Sequence, residues 1–173
     1  TDSLFITVQG QRITLDTVAS YTYVGHYSFD IPGTYSFYIK AWGVVGDTTI
    51  TRSVNMALAK AFYDWTGTSP DGNFRVYGTS GAVPFDQALL IVDSTMFNKY
   101  FYDKASYRLG KESLEFDLPV EISISSISEE FAIYQRRNGV EWIELPSKSE
   151  FGKVMTYTDG MGYFRLGPKT IIV

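Results

Sequence analysis

The chain reads as an all-β protein, built as two tandem antiparallel β-sandwich units. Three observations carry that expectation. Apolar and polar residues alternate through most of the sequence, the period of strands with one buried face. Thirteen Tyr and 12 Phe stand among many Thr, Ser, Val and Ile, residues that suit a pleated surface. Fifteen Gly supply turns, and Asn138-Gly139, Phe151-Gly152 and Asp159-Gly160 fall where alternating blocks break. With 173 residues, 45% apolar and 16% aromatic, the chain can build a sizeable core and is not disordered.

From residue 4 to 58 the pattern gives strand after strand. Leu4-Phe5-Ile6-Thr7-Val8 leads into a turn at Gln9-Gly10, and Arg12-Ile13-Thr14-Leu15 follows as a second short strand. Tyr21 to Phe29 alternates, placing Tyr21, Tyr23, Gly25, Tyr27 and Phe29 on one face. Ile31-Pro32-Gly33-Thr34 has Pro and Gly where a type II turn requires them. Tyr35 to Trp42 runs back, and Thr48 to Met56 closes the unit after Val45-Gly46-Asp47. Ala57 to Phe62 has the composition of a helical turn but is too short to stand alone, so it reads as the connection between units. The boundary falls near residues 58 to 66 and divides the chain into 1–60 and 61–173.

The second unit opens on a tight turn at Ser69-Pro70-Asp71-Gly72, followed by Asn73 to Tyr77. Gly81-Ala82-Val83-Pro84-Phe85-Asp86 leads to an apolar strand at Ala88 to Val92, then to a polar aromatic segment from Met96 to Tyr107. Leu114, Phe116 and Leu118 share one face, Pro119 marks a bulge or edge, and Val120, Ile122 and Ile124 continue. Phe131 to Leu145 and Gly152 to Leu166 supply the last strands.

Two stretches resemble known families. FDIPGTYSFYIKAWGVVGDTTITRSVNM is similar to the late strands of immunoglobulin-like and fibronectin type III-like modules of bacterial extracellular proteins, which share its Pro-Gly turn, aromatic strand and Gly-Asp hairpin. The order Ser-Pro-Asp-Gly, Gly-Ala-Val-Pro-Phe-Asp, Leu-x-Phe-x-x-Pro-Val-x-Ile and FAIYQRRNGVEWIEL resembles the ZU-type β-sandwich family, relatives of which occur in ankyrins, netrin receptors and the GAIN domains of adhesion receptors. Some members of that family cut themselves with a Ser or Thr nucleophile after a His-Phe or His-Leu pair. The matching position reads Gly162-Tyr163-Phe164-Arg165, without the His or the hydroxyl, so the resemblance implies no self-cleavage in this chain.

Composition narrows the chemistry. A net charge of −4, with no basic cluster in sequence beyond Arg136-Arg137, argues against nucleic-acid binding. One His and no Cys exclude zinc and copper sites of the usual type, and His26 lies mid-strand pointing away from the aromatic face. No Gly-x-Ser-x-Gly elbow accompanies it. Asp30, Asp47, Asp71, Asp86 and Asp93 sit near turns and read as solvated carboxylates, with a loop calcium site as the alternative; no EF-hand spacing is present. Glu112, Glu115, Glu121, Glu141 and Glu144 fall on polar strand faces rather than as a facing pair for glycoside hydrolysis. Trp42 and Trp142 read as core or inter-sheet packing, whereas Trp65 either wedges between the units or is exposed for binding.

The expected function is therefore a non-catalytic accessory module, a spacer, stabiliser or docking domain at the C-terminal end of a larger secreted or cell-surface bacterial protein such as a protease. The missing cysteines suit that setting. The chain begins at Thr1 without a signal peptide and is read as a piece of a larger polypeptide. No run of about 18 apolar residues suggests membrane insertion, and no cofactor is expected. Partners would be the rest of the parent chain, a polysaccharide or another surface protein, with Trp65, Tyr63, Tyr100 and Tyr102 as candidate contacts. Two alternatives stay open: a carbohydrate-binding module using exposed aromatics, and a protein-interaction or adhesion module using a strand edge or apolar patch.

Overall fold

A computed structural model describes residues 3–20, 22–43, 46–93, 106–112, 114–137 and 141–170. The described residues form antiparallel sheets and contain no helix, hence none long and apolar enough to cross a membrane. Gln9 and Gly10, both at positive φ, join β1 (Ser3–Val8) to β2 (Gln11–Ile13) in a tight hairpin. The two-stranded pair β3 (Leu15–Ala19) and β4 (Thr22–Gly25) follows, then the long hairpin of β5 (Gly33–Gly43) and β6 (Gly46–Ala59). After these come β7 (Trp65–Thr68), β8 (Phe74–Gly78), β9 (Gln87–Asp93), β10 (Ser106–Leu109) and β11 (Glu115–Ser125). The chain finishes with β12 (Phe131–Arg136), β13 (Ile143–Glu144), β14 (Lys148–Glu150), β15 (Lys153–Gly160) and β16 (Gly162–Pro168).

Nine strands make one sheet in the order β13-β12-β16-β10-β9-β6-β5-β1-β2, and five make a second in the order β14-β15-β11-β8-β7. The larger sheet is hydrogen bonded across residue 60, because β6 pairs with both β5 and β9. Ala57 to Ala59, expected as a connection, are the last residues of β6. Successive side chains of a strand point to opposite faces, and here the two faces bury different cores. Ala57 on β6 and Leu89 and Ile91 on β9 point into the space between the two sheets, where they meet Phe74, Val76, Ile122, Ile124 and Val154. Met56 and Leu90 point the other way, into a smaller core with Val8, Ile13 and Tyr35. Tyr27, Phe29, Tyr35 and Phe37 pack edge to face over that second core, Phe29 and Tyr35 with centroids 4.8 Å apart.

Several expected details come out differently. The strand expected from Tyr21 to Phe29 ends at Gly25, where a Cβ would sit 2.7 Å from Ile13; Tyr27 and Phe29 continue as irregular cover for the smaller core. Gly33, at φ +154°, opens β5 instead of completing a type II turn, and the Tyr35 hydroxyl closes that corner by donating to the Ile31 carbonyl at 2.6 Å. Of Leu114, Phe116 and Leu118 only Phe116 is buried, because the register of β11 against β15 shifts between Glu115 and Val120. Pro119 lies within that irregularity, as a bulge-forming proline should. The Met96 to Tyr107 segment falls outside the described residues up to 105, and its end forms β10.

Candidate functional site

Of the anticipated contact residues, Trp65 and Tyr63 are among the described residues. Trp65 is buried at 5% exposure, its ring 6.1 Å from Phe116 and pressed over Gly78, where a Cβ would lie 2.3 Å from the indole. It alternates inward with Gly67 on β7, so its indole belongs to the larger core and offers no face to a ligand. Tyr63, two residues earlier, is 68% exposed with the Lys60 ammonium 5.7 Å from its ring. Tyr100 and Tyr102 lie outside the described residues.

Several of the acidic candidates are held by structural bonds. Asp71 accepts from the Ser69 hydroxyl, the Asn73 backbone and side-chain amides and the Tyr107 hydroxyl, and Asp86 caps the Ala61 amide at 2.9 Å. Glu115 and Asp159 pair with Arg137, and Glu121 accepts from Tyr157. His26 is exposed and lines an open cleft of about 460 Å³ with Arg12, Asp16 and Asp30. Among the described residues no three His, Asp or Glu side chains converge as metal ligands.

What the fold does assemble is an arginine–aromatic lattice on the outer face of the nine-stranded sheet. Tyr107 and Leu109 of β10 point into the larger core, so Arg108 between them points outward. The register then fixes its neighbours: Arg108 lies opposite Tyr163, and Tyr163 opposite Arg136, in one row across β10, β16 and β12. In the next row Arg165 lies opposite Tyr134, and Tyr134 opposite Glu144. The Arg108 and Arg136 guanidiniums stand 5.6 and 4.7 Å from the Tyr163 ring, and Arg165 lies 4.3 Å from the Trp142 ring. Arg136 is also 5.1 Å from Trp142, and Arg165 is 5.9 Å from Tyr134. Each such contact is worth about 0.5 to 1 kcal/mol where exposed and more where desolvated.

Glu144, the acid within its rows, accepts from the Tyr134 hydroxyl at 2.9 Å and from the Thr170 amide at 3.0 Å as well as the Thr170 hydroxyl. Those bonds, the Thr170 hydroxyl first, hold its carboxyl below the usual glutamate value. The buried Arg136 Nε finds no acceptor among the described residues. Trp142, expected in the core, is thus a half-buried member of an outer face. The sequence carried a signal for this lattice in the repeated Tyr-x-Arg of Tyr134-Gln135-Arg136 and Tyr163-Phe164-Arg165, which becomes a cluster only once β12 and β16 are neighbours. No family model, curated protein or solved structure matches the chain.

Proposed function

We propose that the chain is a non-catalytic accessory module of a larger secreted or cell-surface bacterial protein, and that it works by holding a partner on one rigid sheet face. The arginine–aromatic lattice carries this reading: the sheet register sets guanidiniums against aromatic rings on the outer face of the nine-stranded sheet. The extracellular setting rests on the sequence resemblances above, with which the antiparallel sheets are compatible.

Trp142 sits among these arginines and reports on them directly. Titration with polysaccharides and acidic polypeptides should change tryptophan fluorescence saturably in the native chain and not in Trp142→Phe, with no turnover of polysaccharide, peptide or ester substrates. Turnover that copurifies with the chain and disappears on substitution of one of its carboxylates would overturn the reading.

A further inference from the structure

Resting on the binding-module reading, we infer that the face carrying Arg108 and Arg136 on either side of Tyr163 binds an acidic polysaccharide through the carboxylates or sulfates of its sugar units. A guanidinium seated over an aromatic ring still presents the N–H donors of its own planar fork at its edge, where a carboxylate or sulfate takes two at once. Contacts with the Tyr163 and Trp142 rings hold the Arg108 and Arg136 guanidiniums before any ligand arrives, which lowers the ordering cost of binding. The guanidiniums lie over the rings, so recognition runs through charge rather than through stacking of a base or a neutral sugar on an open aromatic face.

Spacing selects the polymer. Arg108 and Arg136 flank Tyr163 in one row, two strands apart, or about 10 Å at ordinary strand spacing. Double-stranded DNA carries one charge per about 1.7 Å of axis, far denser than these donors. A long stretch of it would also meet the acids of a chain whose net charge is −4. An extended polysaccharide with a charge on alternate sugars fits a flat surface carrying a few well-spaced guanidiniums.

The test uses the whole chain with hyaluronate as the sparsely charged probe, dextran as the neutral control, and poly-glutamate and an oligodeoxythymidine as other anions. Hyaluronate should bind saturably and dextran should not. Arg108→Gln and Arg136→Gln should each weaken hyaluronate binding about tenfold, while Lys153→Gln on the five-stranded sheet leaves it unchanged. Arg108 is exposed, so its variant remains informative should Arg136→Gln fail to fold. Tighter binding of oligodeoxythymidine than of hyaluronate, or undiminished hyaluronate binding in the variants, would overturn the inference. Poly-glutamate bound through the same arginines without hyaluronate would overturn the ligand class and leave the module reading standing. Absence of binding to every anion would remove both.

Discussion

Asp71 anchors the turn between β7 and β8, where Gly72 donates to the Ser69 carbonyl at 2.9 Å and adopts φ +75°. Burial works to raise its carboxyl, yet the hydrogen bonds from Ser69, Asn73 and Tyr107 outweigh it and hold the group below the ordinary aspartate value of 3.8. Tyr107 is pushed up from 10.0, first by its own burial and then by its bond to Asp71. The sign of the linkage follows: the Asp71 contribution is complete above pH 3.8 and lost as pH falls through the lower folded value. The Tyr107 contribution is complete below pH 10.0 and lost as pH rises through its folded value. Asp71→Asn should therefore destabilise the protein by about 2 kcal/mol at neutral pH and flatten the acid limb of its stability profile, as measured by urea unfolding across pH. An unchanged acid limb would show that Asp71 is not the group responsible. The turn itself was legible in Ser-Pro-Asp-Gly; the partner Tyr107, 36 residues away, was not, because only the packing of β10 against β8 brings it there. Trp65 and Trp142 show the same limit. Each sits in an alternating stretch, and alternation names two faces without saying which is buried.

At the level of elements, β15 and β16 carry the clearest consequence of sheet pairing. β15 belongs to the five-stranded sheet and β16 to the nine-stranded one, so the chain changes sheets between Gly160 and Gly162 around the fully buried Met161. The break at Asp159-Gly160 was readable in the sequence as an interruption of alternation; that it is a crossing between layers depends on pairing with β11 and β12. The two glycines meet different obstacles. At Gly162, with φ +142°, a Cβ would lie 2.5 Å from the Arg136 backbone carbonyl, which cannot swing away. At Gly160 a Cβ would meet the Arg137 guanidinium, the far end of a flexible side chain. Gly162→Ala should cost about 3 kcal/mol, and Gly160→Ala less, mainly through displacement of Arg137 from Glu115 and Asp159. Chemical denaturation of both variants gives the comparison, and equal costs would count against a backbone clash. Alternation likewise announced most strands, whereas the bulge in β11 hid the exposure of Leu114 and Leu118, since extra residues in one strand reset its inward and outward positions.

Across the whole molecule, the two cores on opposite faces meet along a narrow bridge. β6 pairs with β5 from Gly46 to Met56 and with β9 from Val54 to Ala59, so only Val54 to Met56 are bonded on both sides. Beyond that bridge, β1, β2 and the distal parts of β5 and β6 rely on a core whose buried members are Val8, Ile13, Tyr35 and Met56. The other core draws on five strands of the nine-stranded sheet, β6, β9, β10, β12 and β16, and on the five-stranded sheet, with Phe74, Tyr107 and Phe164 packed together within it. Less buried apolar surface per residue means a lower free energy of local opening, so the β1–β2–β5 region should exchange its amides by a sub-global opening that leaves β8 and β11 closed. Val8→Ala should lower that opening free energy by about 2 kcal/mol with no change in protection of Ile122 or Ile124, as read by native-state hydrogen exchange. A fall of equal size in both regions would instead mean that the bridge transmits stability and the chain unfolds as one unit. The arginine–aromatic face lies on β10, β12 and β16, all on the far side of β6 from Val8. Ligand binding at that face should therefore survive Val8→Ala at temperatures where the smaller core has already opened, separating the part of the fold that binds from the part that merely extends the sheet.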